Sequence, residues 1–236
     1  DTLRNAPLDE MNAPLWNDLI GALSFPPSTS NGTTSELVTR VFQRLEHAEP
    51  AFLAIVIERL ATLYAFTPRP TSNSVSTWWQ RLFLIANGQG TEPLELGGQL
   101  YEDAISSPSG RLAEALLSDI QAAQKAFGAV TESHLRSMEN VVHAKGKQGA
   151  FARAIFVNSL SFVVAVANDK ICSYLDDALG QTTAEGQGLR AVLVNQPRTS
   201  RSVSSKFSAH ILRGLLEVET SNHQTKAAAA KIERAP

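Results

Sequence analysis

The sequence predicts an all-α chain, and three observations carry that prediction. Apolar residues recur three and four apart along most of its length. Runs of Val, Ile, Thr and aromatic residues alternating at period two are almost wanting. Pro, Gly and capping signals punctuate the chain at intervals of about ten to eighteen residues, a common helix length.

Each element follows from those signals. A first helix is expected from Leu8 to Leu23, with Leu15, Trp16, Leu19, Ile20 and Leu23 on one face; Pro26-Pro27 ends it and Ser28 to Thr34 reads as a loop. Thr33 and Glu36 stand at capping-box spacing before the stripe Leu37, Val41, Leu45. Pro50 opens a third helix, in which Phe52, Ile55, Val56, Leu60, Leu63 and Tyr64 hold helical spacing until Pro68 and Pro70 break it. Ser72 or Asn73 caps a fourth, loaded with Trp78, Trp79, Leu82, Phe83 and Ile85 and closed by Gly88 and Gly90.

Leu94 to Ile105 and Pro108 to about Ala123 follow as two helices parted by Ser106-Ser107. Thr131 to Ala144 precedes a segment starting at Ala150 that is apolar on most sides. Helices over Ile171–Leu179 and Glu185–Val194, then two more starting near Val203 and Ser221, complete the series; Ser221 and Gln224 again have capping-box spacing. Successive pairs of about 40 residues suggest stacked antiparallel helix pairs, an irregular α-solenoid of the HEAT or armadillo kind or else a compact helical array. No repeat of fixed period aligns by eye. Residues 1–180 are expected to form the helical-repeat domain, and 181–236 to pack on it or extend it.

Composition narrows the function classes. The formal charge of -2 gives no overall attraction to nucleic acid or to an anionic membrane. The charge is uneven: residues 190–236 carry a net +5 and the remainder -7. Because the basic residues are scattered, an ordinary solvated face is the plain reading, with nucleic acid or an acidic protein as the alternative partner. Cys172 is the single cysteine, which excludes an intrachain disulfide and a Cys-based zinc site and fits a reducing cytoplasm. The chain starts at Asp1, so a longer or processed parent is expected. Ala150 to Ala167 is interrupted by Arg153, Asn158, Ser159 and Ser161 and is too short and polar for a membrane span.

The residues that carry chemistry are sparse. No glycine-rich phosphate loop, HExxH or GxSxG occurs, and the five histidines are scattered. Glu102-Asp103 and Asp176-Asp177 are adjacent in sequence, which on a helix turns their carboxylates about 100° apart. No catalytic residue, metal ligand or cofactor is expected. Arg59 and Arg153 lie in apolar helices, where each guanidinium needs a carboxylate, free carbonyls or a partner. Trp78 and Trp79, being adjacent, cannot both face one core stripe, so one is expected between helix layers or at an interface. Around Pro108, Ser107 can cap the helix, Gly110 permits close approach of another helix, and Arg111 can pair with Glu114.

The stretch Leu100-Tyr-Glu-Asp-Ala-Ile-Ser-Ser-Pro-Ser-Gly-Arg-Leu-Ala-Glu-Ala-Leu-Leu117 resembles a recurring element of large bacterial sirtuin-like antiphage defence proteins. Gly149-Ala-Phe-Ala-Arg-Ala-Ile-Phe-Val-Asn-Ser-Leu-Ser-Phe162 is similar to the helix that follows it there. The likeness covers roughly residues 78–179. It implies a helical region carboxy-terminal to a separate NAD-hydrolysing domain: a non-catalytic scaffold or sensor arm, with a protein partner, a phage protein among the options, or self-assembly. Trp78, Trp79, Pro108, Gly110, Arg111, Glu114 and Arg153 are then the structural or interface residues to locate.

Overall fold

Side chains in the loops decide where the helices begin. The computed structural model describes residues 6–24, 33–68, 75–90, 92, 94, 99–196 and 200–232, without the side chains of 33–35 and 221–232. A 3₁₀ turn, Glu10–Asn12, is capped by Asp9 and runs into α1, Ala13–Ser24. Then come α2 (Thr33–Leu45), α3 (Pro50–Ile55), α4 (Ile57–Phe66), α5 (Thr77–Gly88), α6 (Leu100–Ser106) and α7 (Pro108–Phe127). They are followed by α8 (Glu132–His143), α9 (Gly146–Asn158), α10 (Leu160–Val166), α11 (Asp169–Gly180), α12 (Ala184–Val194), α13 (Arg201–Lys206) and α14 (Ser208–Ile232). Five starts share one device, a side-chain oxygen accepting an orphan N–H: Ser76 in α5, Ser107 in α7, Asn168 in α11, Thr183 in α12 and Ser200 in α13. The chain is all-helical, with no strand among the described residues.

Several expected boundaries move, each for a local reason. The third helix breaks at Val56, whose backbone leaves the helical region (φ -102°, ψ 8°), so α3 and α4 are separate rods. The cap of α5 is Ser76; Ser72 and Asn73 fall outside the described residues. Leu94 is not helical, and α6 starts only at Leu100. At Ser159 the chain turns by 85° between α9 and α10. Ser221 does not open a helix, because α14 runs through it from Ser208 to Ile232; the alanines at 227–230, the strongest helix formers, favour that continuity. The capping boxes expected at Thr33 and at Ser221 involve side chains outside the described set. Of the face expected for the first helix, Trp16 and Ile20 are buried and Leu19 and Leu23 pack on the core, but Leu15 is 68 % exposed and Ala13 is buried in addition.

The core is one contiguous set of buried apolar side chains running from Ala13 to Phe207. Its spine is a row of helices, α1, α4, α7, α9, α12 and α14, each packed on the next, with the remaining helices set against the row. In α9 every residue from Gly149 to Val157 is buried, so beyond its first turn this helix has no solvent face to be amphipathic about. No single helix among the described residues is long and apolar enough to cross a membrane.

Three glycines allow the closest helix approaches. A Cβ on Gly110 would collide with the Ala104 carbonyl, one on Gly149 with that of Ala144, and one on Gly186 with that of Gln181. In each case the glycine is near the start of a helix and the carbonyl belongs to the end of the helix before it. Alanine at any of the three is expected to destabilise the protein by about 1–3 kcal/mol, because backbone has to move. Gly88, with nothing within 4 Å of where its Cβ would sit, is the control. Urea unfolding of G110A, G149A and G186A against G88A checks this, and equal midpoints for all four would contradict it.

Candidate functional site

The residues singled out from sequence are scattered, and most prove structural. Trp79 is fully buried, donates its indole N–H to the Leu112 carbonyl at 2.7 Å and stacks on Phe83 with centroids 4.9 Å apart. Trp78 is half-buried between layers, edge-on to Phe42 at 5.1 Å, with the Arg81 guanidinium 5.3 Å from its centroid. Pro108 occupies the first turn of α7, and the Ser107 hydroxyl accepts from the Gly110 N–H at 3.0 Å. Arg111 does not pair with Glu114. It reaches away from its own helix, donating to the Thr62 hydroxyl of α4 and to the Ile105 carbonyl at the end of α6, and leaves Glu114 exposed. Arg59 is exposed as well.

Arg153 is buried, and its role recurs. Its Nε donates to Glu185 of α12 at 2.5 Å, while Nη1 donates to the carbonyls of Val142 and Ala144 where α8 ends. Arg190, with no exposed surface, repeats the pattern one helix pair later. Its Nη1 donates to the carbonyls of Leu179 and Gln181 at the end of α11, and Nε and Nη2 grip Glu217 of α14 at 2.8 and 2.7 Å. Both arginines reach carbonyls eleven and nine residues back, and each lies four residues after a close-approach glycine. Arg81 does similar work at the end of α2, donating to the Glu46 and Ala48 carbonyls at 2.6 and 2.5 Å.

The physical reason is common to all three. A helix ends with carbonyls that lack intrahelical donors and with the negative pole of its dipole, and both favour a cation. Guanidinium alone offers several donors in a planar fork, so it can satisfy two carbonyls and a carboxylate at once. In the two carboxy-terminal cases the carboxylate comes from the next helix of the central row, so each arginine ties its own helix pair to the following one. Arg190 beside Glu217 holds that carboxyl below its ordinary value, outweighing the opposing effect of burial.

Arg190 is the structural position that the sequence pattern did not single out. Its signal is the run Gly149-Ala-Phe-Ala-Arg153-Ala-Ile against Gly186-Gln-Gly-Leu-Arg190-Ala-Val, at an offset of 37 residues. Two aligned segments are too few to stand out before their geometry is known.

The ends of the central row differ from its middle. The inward side of α14 is mixed: Ile211 packs on the core and Gly214 is buried, while Arg213 donates to the Gly180 carbonyl at 3.2 Å and His210 meets Asp176 at 2.9 Å; Lys206 of the adjoining α13 pairs with Asp169 at 3.4 Å. Its outward side carries Leu212, Leu215 and Leu216, all more than half exposed. At the opposite end the 3₁₀ turn exposes Met11 and α1 exposes Pro14, Leu15, Asp18 and Ala22. Among the described residues no group of three or more His, Cys, Asp or Glu side chains is placed to hold a metal.

His134 is buried at the start of α8 in a reciprocal cap with Thr131, whose backbone N–H donates to Nδ1. That leaves the neutral ring's proton on Nε2, a buried atom with no partner among the described residues. Burial pushes its pKa down from 6.5, against a smaller upward pull from Asp119. A depressed histidine binds its proton more readily in the unfolded chain. Stability is therefore full above 6.5 and falls as pH drops from there towards the lowered folded value. Unfolding midpoints measured across that window are expected to fall less steeply in His134→Gln than in the unsubstituted protein; parallel profiles would refute this.

Comparison with known proteins adds one relative of note, a protein of Sinorhizobium fredii named "Uncharacterized protein y4cA". It is 25 % identical over 236 residues, which is 99 % of this chain and 20 % of that protein. The chain thus spans about a fifth of the relative's length. No family model matches, and no solved structure matches.

Proposed function

We propose that this chain is a non-catalytic helical scaffold or sensor region of a bacterial antiphage defence protein, working in the cytoplasm by holding other protein surfaces. In this reading the helix pairs stack as an irregular solenoid, with the arginines setting the spacing between pairs. The observation that carries it is α14, whose outward side exposes three leucines, Leu212, Leu215 and Leu216, beyond an inner side of Ile211, Gly214 and paired polar groups. The likeness of Leu100–Leu117 to the sirtuin-like defence proteins supplies the setting, and the much longer Sinorhizobium relative is compatible with a region inside a larger polypeptide.

The test is an assay of the purified chain for NAD turnover alongside its capture of proteins from phage-infected and uninfected bacteria. No turnover, with capture that a glutamate at Leu215 abolishes, is the expected result. Hydrolysis of NAD by this chain would overturn the reading. The nucleic-acid alternative loses force at Arg190, which is buried and held by Glu217. A gel shift that weakens steeply with salt would restore it.

A further inference from the structure

We propose that His134 is a proton-operated latch: its neutral ring closes the first turn of α8, and protonation opens that turn together with the start of α5 while the rest of the helix row stays folded. This is a device of the fold and does not depend on what the chain holds.

Geometry carries the proposal. Thr131 and His134 cap α8 reciprocally, with the Thr131 N–H directed at Nδ1 from 3.4 Å and the Thr131 hydroxyl 2.9 Å from the same atom. A proton added at Nδ1 turns the acceptor that this N–H needs into a second donor. The ring is fully buried and Nε2 has no partner among the described residues, so the cation is left out of water with one N–H unpaired. It also stands in the first turn of a helix, where the free N–H groups favour an anion. Asp119 of α7 is the one charge among the described residues that acts on the ring, and its pull is smaller than the cost of burial. The other helices packed on α8 are α9 and α11; Lys170 of α11 is engaged with Glu139 at 3.1 Å, and on α8 itself the exposed Glu132 and Arg136 pair with each other at 3.9 Å.

The latch reaches beyond its own helix through Ser133. In the same first turn, the Ser133 hydroxyl accepts from the backbone N–H of Val75 at 3.0 Å. Val75 is buried and directly precedes Ser76, the cap of α5. When the first turn of α8 opens, that acceptor moves away and the start of α5 loses its tie. Deeper in the two helices, Met138 and Val141 of α8 and Trp79, Leu82 and Phe83 of α5 stay buried whatever the charge on the ring. A ring that is neutral when closed and of ordinary basicity, 6.5, when open makes opening easier as pH falls. Between about pH 7.5 and about pH 5.5 the open fraction therefore rises about tenfold.

Hydrogen exchange of the whole chain tests this, read amide by amide at both ends of that pH range and corrected for the intrinsic pH dependence of exchange. In the unsubstituted chain, protection of the Thr131 and Val75 N–H groups is expected to fall together by about tenfold, with Val141 and Phe83 unchanged. His134→Gln keeps a capping side chain suited to the third helical position but cannot titrate, so its protection is expected to stay level. Ser133→Ala cuts the tie alone: Val75 loses protection at both pH values, while Thr131 still responds to acid. A level profile in the unsubstituted chain, an equal fall in His134→Gln, a fall at Thr131 that leaves Val75 protected, or a loss spread evenly along α8 would each overturn the proposal.

Discussion

Arg190→Met is expected to cost about 3–5 kcal/mol of stability, among the largest losses any single substitution in this chain should produce. The loss has two parts. The Leu179 and Gln181 carbonyls lose a buried donor, and the Glu217 carboxylate loses the buried guanidinium that grips both its oxygens. Lysine at 190 should recover only a small part, because a point charge on a flexible stem cannot face two carbonyls and a carboxylate together. The pH profile offers a second readout. Glu217 is held below its ordinary value of 4.5, so its contribution is present above 4.5 and is lost as pH falls towards the depressed folded value. In Arg190→Met that acid-side loss should shrink. Unfolding with urea at neutral and at acidic pH measures both effects; a cost under about 1 kcal/mol, of the size of an exposed pair, would show that the clasp adds little.

Trp79→Ala is expected to cost a similar 3–5 kcal/mol through the cavity it leaves beside Phe83 and the loss of the indole bond to the Leu112 carbonyl. Trp79→Phe keeps most of the ring burial and should cost markedly less. Trp78→Ala removes only a half-buried ring and the partial cover over Arg81, so about 1 kcal/mol is expected. The contrast between the two adjacent tryptophans is the informative quantity. Equal costs would mean that Trp78 belongs to the core as much as its neighbour does.

Much of the architecture was legible in the residues. Period-three and period-four spacing gives the helices, and Pro50, Ser107-Pro108 and Thr131 mark helix starts that the structure shares. What could not be read was the break at Val56 and the turn at Ser159, because β-branched and small residues inside an apolar run announce neither. Leu15 illustrates another gap: helical spacing says that Leu15 and Trp16 lie near one another, but not which of them the neighbouring helices cover. The arginines were half legible. An Arg in an apolar helix signals a buried partner, yet the partners of Arg153 and Arg190 are carbonyls of the preceding helix and a carboxylate about thirty residues on, visible only once the pairs are stacked. Arg111 shows the same limit, since helical spacing offers Glu114 while the fold provides Thr62.

The central claim is that buried arginines couple successive helix pairs into one row, and native-state hydrogen exchange on Arg153→Met measures it directly. If the coupling holds, protection falls in α12, where Glu185 has lost its partner, as well as at the end of α8. Loss confined to the α8–α9 junction, with α12 as protected as before, would contradict it.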